Sequence, residues 1–121
     1  MSPLVVLCVG VLGGVGACAR FALDGTVARR LGRAFPYGTL VVNISGAFLL
    51  GLLVGVALSG DSYRLAGVGL LGAFTTFSTW AFESHRLAED GEGRSGALNF
   101  VVSLILGVGA AWLGRRIGAA L

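Results

Sequence analysis

Charged residues divide this chain of 121 residues into four long apolar windows. The windows cover residues 1–19, 34–60, 65–82 and 95–114, and none of them contains Asp, Glu, Lys or Arg. A helix needs about 20 apolar residues to cross a bilayer, so each window is long enough or nearly so. The pattern predicts an all-α membrane protein in which residues 1–121 form one unit of four transmembrane helices, spanning residues 3–23, 36–58, 64–84 and 95–117.

Polar and small residues recur on one face of three of these predicted helices. Single Thr, Ser or Asn side chains usually serve as hydrogen-bonding contacts between helices, whereas aligned polar and ionisable groups within a membrane usually mark a transport pathway. One stripe on each of three helices, together with an arginine near a membrane boundary, favours the pathway. Residues three and four apart share a helix face, which gives the stripes Gly13, Gly16, Ala17 and Arg20; Thr39, Asn43 and Gly46; and Asn99, Ser103 and Gly107.

The third window has no such stripe. Four hydroxyl residues stand within five positions, at 75, 76, 78 and 79, so they point around the whole helix and cannot share one face. Non-helical backbone at membrane depth is tolerated only where it is buried in protein or lines a cavity. We therefore predict that the third helix is broken near the membrane midplane, at about Gly72 to Thr76. Such breaks expose the backbone groups with which transporters hold ions.

The polar groups of the spans are mostly hydrogen-bond donors. They are the Asn43 amide, the Arg20 guanidinium and the hydroxyls of Thr39, Thr79 and Ser103, and Glu83 is placed at the end of the third span rather than inside it. A pathway lined by donors and free of acids favours an anion. Aromatic rings carry partial positive charge at their edges, so the rings of Phe74, Phe77 and Trp80 can also face an anion, although a single aromatic residue is more often a packing or lipid contact.

The composition excludes several other classes of protein. Only 12% of the residues are charged, against about 25% in soluble proteins, so an ordinary soluble enzyme is excluded. The 21 glycines suit closely packed membrane helices. The nine basic residues are scattered along the chain and form no stripe for nucleic acid. Cys8 and Cys18 are about 15 Å apart along one helix, too far for a disulfide, and His85 is the only histidine.

The arginines do not determine how the chain is oriented in the membrane. Four spans place both termini and the second connection on one side, with Arg64, Arg115 and Arg116. The other side has five arginines, or six if Arg20 is included. Orientation follows the imbalance of basic residues in short loops, and this imbalance is weak. Insertion in both orientations and insertion in one orientation are therefore about equally compatible with the sequence.

Three sequence runs resemble the Fluc/CrcB fluoride channels. They are residues 13–21 (GGVGACARF), residues 36–46 (PYGTLVVNISG) and residues 72–83 (GAFTTFSTWAFE). The third run is specific, and the resemblance extends over essentially the whole chain in order and at matching spacing. It implies an antiparallel homodimer of four-helix subunits, inserted in both orientations, with two fluoride pathways at the interface. It also implies a structural sodium ion held by the backbone carbonyls of Gly72 and Thr75 from each subunit.

The resemblance also assigns pathway residues. The pathway asparagine corresponds to Asn43, the first-span arginine to Arg20, the hydroxyl track to Thr79 and Ser103, and the first of two stacked phenylalanines to Phe77. This chain departs from the pattern at the second phenylalanine, where it has Trp80, whose indole offers a positive edge and an N–H donor. Asn99 stands where some members have an aromatic residue, and we expect it to add a donor.

We therefore expect a fluoride-selective channel, not an enzyme, that exports cytoplasmic fluoride passively across the bacterial inner membrane. The alternative is a small multidrug-type, proton-coupled cation exporter of similar length. That mechanism needs a carboxylate within the membrane, whereas the first span offers Arg20. A non-conducting assembly subunit is a third possibility, but it does not account for the hydroxyl cluster at residues 75–79.

Overall fold

The computed structural model describes residues 2–121, apart from the side chain of Ser78. The helical elements within this part of the chain are α1 (Pro3–Leu31), α2 (Tyr37–Gly55), α3 (Gly60–Tyr63), a π-helix (Arg64–Leu71), α4 (Gly72–Phe74), α5 (Phe77–Glu89) and α6 (Gly93–Ala120). Four helical stretches are long and apolar enough to cross a membrane: Pro3–Leu31, Tyr37–Gly55, Gly60–Glu89 and Gly93–Ala120. The prediction of an all-helical protein with four such segments is confirmed.

Local sequence signals set the ends of α1. Ser2 is the N-cap, and its hydroxyl oxygen accepts the backbone N–H of Val5 at 3.2 Å. Pro3 follows at the first helical position, where the missing N–H costs nothing. At the other end Gly32 has φ 81° and donates its N–H to the Ala28 carbonyl, a left-handed conformation that glycine adopts without strain.

Helices α2 and α6 pack closely because glycines face each other across their contact. A Cβ on Gly51 would meet the Ala111 carbonyl oxygen of α6, and a Cβ on Gly114 would meet the Phe48 carbonyl oxygen of α2. Gly55 and Gly118, one turn further along, are similarly close to the opposite backbone. Small residues at a spacing of four let helix backbones approach closely in a membrane. Most of this pair's glycines therefore serve packing.

The third segment is the irregular one. Between α4 and α5, Thr75 and Thr76 have extended backbone, with φ −79°, ψ 160° and φ −146°, ψ 117°. Helix α1 packs against the π-helix and α4 before this point, where Gly16 is so close that a Cβ would meet the Leu70 carbonyl oxygen. After this point α5 packs mainly against α6. The two parts of the third segment thus have different neighbours.

The helices continue past the ends of the charge-free windows. Helix α1 runs to Leu31 and includes Asp24, Arg29 and Arg30, and α5 runs to Glu89. A helix does not have to end where the hydrocarbon core ends, so charged residues can belong to its first or last turns in the interface. Glu83 consequently lies in the interior of α5 rather than at the end of a helix.

Few side chains of the described subunit are buried. The buried apolar residues are Ala28, Val42, Leu71, Trp80 and Leu87, and the buried polar ones are Thr39 and Asn99. Many large apolar side chains are exposed instead, among them Leu4, Phe77 at 74% and Ile105. In water such a surface would be an aggregation liability, whereas a bilayer accommodates it. The fold fits a multi-pass membrane protein.

Candidate functional site

Asn43 of α2 holds the extended backbone between α4 and α5. Its Nδ2 donates to the Thr76 carbonyl oxygen at 2.9 Å, and its Oδ1 accepts the Thr76 backbone N–H at 2.8 Å. One side chain thereby satisfies both polar groups of the Thr76 residue, as a neighbouring strand would. Nδ2 carries two hydrogens, and only one of them has an acceptor among the described residues.

The same hydrogen bonds take helical donors away from two carbonyls. In a continuous α-helix the Thr76 N–H would bond to the Gly72 carbonyl and the Thr79 N–H to the Thr75 carbonyl. Here the Thr76 N–H bonds to Asn43, and the Thr79 N–H bonds to the Thr76 hydroxyl at 3.2 Å. The carbonyls of Gly72 and Thr75 are therefore among those that lose their helical partners at this break, as is the Ala73 carbonyl, which accepts from Arg20 instead. The carbonyls of Gly72 and Thr75 are also the two predicted to bind sodium.

A groove of about 440 Å³ opens beside this non-helical stretch. It runs between the third segment, α2 and α6, and no acidic residue lines it within the described part of the chain. The predicted site residues that it brings together are Asn43, Gly72, Thr75, Phe77, Trp80 and Ser103.

Trp80 is fixed in the wall of the groove by contacts on several sides. Its ring meets the Phe77 ring edge-on at a centroid distance of 5.2 Å and stacks on Phe100 at 4.6 Å. Its Nε1 donates to the Asn99 carbonyl oxygen at 3.3 Å. The indole N–H expected as an additional donor for an ion is thus already bonded within the chain.

Asn99 is fully buried, and its side chain bonds to two serines. Its Nδ2 donates to the Ser84 hydroxyl oxygen at 2.7 Å, and its Oδ1 accepts from the Ser103 hydroxyl at 3.4 Å. Ser84 in turn donates to the Trp80 carbonyl oxygen at 2.9 Å. The expectation that Asn99 adds a donor to the groove is therefore wrong for the described subunit, because the amide faces α5.

Arg20 lies on the other side of the same non-helical stretch. Its Nε donates to the Ala73 carbonyl oxygen at 3.4 Å, which ties α1 to α4. The side chain is partly buried and does not line the groove. Arg20 therefore places a positive charge close to the Thr75–Thr76 backbone from the α1 side.

A second, more polar cavity of about 320 Å³ lies near the connection between α1 and α2. Its lining includes Thr79 and the charged residues Asp24, Arg33, Glu83 and Arg86. Thr39, predicted as a pathway residue, is buried behind it and donates to Glu83 Oε1 at 2.6 Å. Thr79 and Thr39 are thus associated with this polar cavity and not with the groove.

Sequence reasoning did not find the roles of Thr76, Ser84 and Glu83. Thr76 stands in the hydroxyl cluster, but its pairing with Asn43 joins residues 33 positions apart, which no local pattern indicates. Ser84 lies four residues after Trp80, a spacing that places both on one helix face and is the only sequence signal for that contact.

Four helical segments long and apolar enough to span a membrane, three of which line a mostly apolar groove without an acidic side chain among the described residues, define a small, multi-pass membrane protein. A family model described as "CrcB-like protein, Camphor Resistance (CrcB)" matches residues 7–115. The chain belongs to the CrcB family, whose members are non-enzymatic membrane proteins. The predicted resemblance is confirmed.

Curated relatives agree with this assignment. The chain is 55% identical over 115 residues to "Fluoride-specific ion channel FluC 2" of Mycobacterium bovis. The aligned region covers 93% of this chain and 91% of that protein. A Mycobacterium tuberculosis protein of the same name is equally similar. "Fluoride-specific ion channel FluC" of Geobacter sulfurreducens is 46% identical over 114 residues, covering 90% of this chain and 92% of the relative.

Proposed function

We propose that this chain forms a fluoride-selective channel that lets cytoplasmic fluoride leave the cell passively through the bacterial inner membrane. The observation that carries the proposal is the groove at the Thr75–Thr76 backbone, which offers donors and no acidic side chain among the residues described. The names of the relatives point to the same ion. Export would relieve the toxicity of fluoride that enters as the neutral acid.

Selectivity for fluoride requires donors that replace its tightly held water shell. In the proposed pathway the second amide hydrogen of Asn43 and the Ser103 hydroxyl supply such donors, and the edges of Phe77 and Trp80 add partial positive charge. The track continues along α5 to Thr79, which lines the polar cavity. No covalent chemistry is needed, because the ion moves down its own electrochemical gradient.

The positive charge of Arg20 favours an anion near the groove. Arg20 lies close to the non-helical stretch through its bond to Ala73. Arg33 and Arg86 line the polar cavity together with Asp24 and Glu83, so the formal charges of that cavity balance. A guanidinium is permanently charged, so the attraction of Arg20 for anions persists over the whole physiological pH range.

The working unit in this proposal is an antiparallel homodimer made of subunits inserted in both orientations. Three observations support it: the groove is open on the subunit surface, Phe77 beside it is 74% exposed, and the arginine imbalance between the two sides is weak. A twofold interface uses the same patch on both copies. A second copy would therefore cover the groove and complete the two pathways.

A structural sodium ion fits the backbone of this interface. Hard cations prefer oxygen ligands, and the carbonyls of Gly72 and Thr75 are two whose helical donors are diverted, to Asn43 and to the Thr76 hydroxyl. In the proposed dimer these carbonyls from both subunits would hold the ion. Bound there, sodium would supply positive charge that compensates four carbonyl oxygens in a region of low dielectric constant.

The proton-coupled cation exporter is not supported, because the groove lacks an acidic side chain among the described residues and the relatives carry the name of a fluoride channel. The direct test is ion efflux from liposomes that contain the purified protein. The proposal expects fluoride to be released much faster than chloride, without a proton gradient. Equal release of both ions, or no release from well-incorporated protein, would contradict it.

A further inference from the structure

The buried amide of Asn99 touches two residues of the proposed pathway without reaching the groove. Its side chain accepts the Ser103 hydroxyl, and its backbone carbonyl accepts the Trp80 indole N–H. Both Trp80 and Ser103 line the groove, and Asn99 does not. Asn99 is thus placed to act on the pathway through its neighbours.

The close approach of α5 and α6 explains how Asn99 reaches α5. One turn earlier on α6 lies Gly96, where a Cβ would come within 2.7 Å of the Ser84 carbonyl oxygen. That spacing lets the Asn99 amide reach the Ser84 hydroxyl at 2.7 Å, while Ser84 bonds to the Trp80 carbonyl. Side chain and backbone of Asn99 therefore both connect to Trp80.

The Asn99 carbonyl oxygen has no lone pair left for a third donor. A carbonyl accepts two hydrogen bonds; one comes from the Ser103 backbone N–H in the regular ladder of α6. The second comes from the Trp80 indole at 3.3 Å. A serine within a helix commonly donates its hydroxyl to the carbonyl four residues earlier, which for Ser103 is this same carbonyl.

We propose that Asn99 is a positioning residue, whose side-chain oxygen takes the Ser103 hydroxyl and thereby leaves its backbone carbonyl to the Trp80 indole. The indole then stays stacked on Phe100 in the wall of the groove. The bond from Ser103 to Asn99 is long, at 3.4 Å, so the hydroxyl is easily released to turn toward an arriving anion. The effect on conduction rests on the proposed channel function, whereas the effect on Trp80 does not.

The test uses the full-length protein with Trp112→Phe as background. Trp80 and Trp112 are the only tryptophans, so fluorescence in this background reports Trp80 alone. Asn99→Leu removes the acceptor, and Asn99→Ala, which adds no bulk, is tested beside it. We expect Trp80 emission to move to longer wavelength, and fluoride flux per channel to fall about five- to tenfold, as for the loss of one neutral hydrogen bond.

A second substitution separates positioning from simple support of the fold. Adding Ser103→Ala to Asn99→Leu removes the competing hydroxyl, so Trp80 emission is expected to return toward its original wavelength while fluoride flux stays low. Emission that does not recover in the double variant would overturn the proposal. So would unchanged emission and flux in both Asn99→Leu and Asn99→Ala.

The fluorescence result separates this proposal from the proposed function. If the wild-type protein carries no fluoride, the channel assignment fails, while the emission of the Asn99 variants still decides whether Asn99 positions Trp80. If wild-type protein carries fluoride and the Asn99 variants keep both their emission and their flux, only the positioning role fails.

Discussion

Replacing Asn43 tests whether its bonds to Thr76 hold the pathway together. Asn43→Ala removes both the donor and the acceptor that face the Thr76 carbonyl and N–H, at 2.9 and 2.8 Å. Asn43→Asp keeps an acceptor for the N–H but places a second oxygen against the Thr76 carbonyl. We expect both substitutions to disturb the non-helical stretch, and Asp to disturb it more because it adds repulsion between oxygens and a negative charge beside an anion pathway.

The size of the effect follows from the two bonds. A neutral hydrogen bond contributes about 0.5–1.5 kcal/mol net, and an unsatisfied buried group costs about 1–3 kcal/mol. The loss of both bonds to Thr76 is thus worth about 2–4 kcal/mol for Asn43→Ala. Each 1.4 kcal/mol corresponds to a factor of about ten, so we expect fluoride flux to fall at least about tenfold and the thermal stability of the protein to fall with it.

The assay is fluoride efflux from liposomes, measured with a fluoride electrode, together with thermal unfolding of the purified protein. Ser45→Ala is the matched control, because Ser45 lies on the same helix and, among the described residues, its hydroxyl bonds only to the carbonyls of Val41 and Val42. The control is expected to keep wild-type flux and stability. Wild-type flux and stability in Asn43→Ala would refute the reasoning that these two bonds maintain the pathway.

Three further predictions concern packing, the polar cavity and sodium. Gly114→Ala places a Cβ against the Phe48 carbonyl oxygen and is expected to destabilise the protein by about 1–3 kcal/mol, whereas Gly109→Ala, which faces open space, is not; equal melting temperatures would contradict this. Thr39→Val removes the donor to Glu83 and is expected to reduce fluoride flux more than Glu83→Gln, which keeps an acceptor for Thr39; the reverse order would count against that bond. Exhaustive replacement of sodium by an organic cation during purification is expected to weaken the dimer and abolish flux, and an unaffected dimer with full flux would rule out a structural sodium ion.

The parts of the fold that follow from hydropathy could be predicted from the sequence. The four apolar windows correspond to the four long helical segments. The glycines, which suit closely packed membrane helices, include Gly51 and Gly55, and both face α6 in close contact. The predicted helix ends are less accurate than the predicted segments, because α5 continues through charged residues to Glu89. The charge-free windows mark the part of each helix that suits the hydrocarbon core of a membrane. The backbone hydrogen bonds of the helix continue beyond it into the membrane–water interface.

The pairings within the site depend on contacts that local patterns do not encode. The sequence predicts a break at about Gly72 to Thr76. Thr75 and Thr76 have extended backbone, and a break of the third helix within a membrane stays a prediction. Asn43 bonds to Thr76 and does not turn its whole amide toward the pathway. This contact depends on how α2 packs against the third segment. Asn99 was misread for the same reason, because only the close approach at Gly96 turns its amide toward Ser84.

The central claim is that the protein is a passive, fluoride-selective pathway, and a reversal potential tests it most directly. Purified protein in a planar bilayer would be given a tenfold fluoride gradient, equal chloride and equal pH on both sides. For a fluoride-selective channel the current reverses near the fluoride equilibrium potential, about 59 mV in magnitude for a singly charged ion, and a pH gradient does not move it. Reversal near zero, or a reversal that follows the pH gradient, would contradict the account.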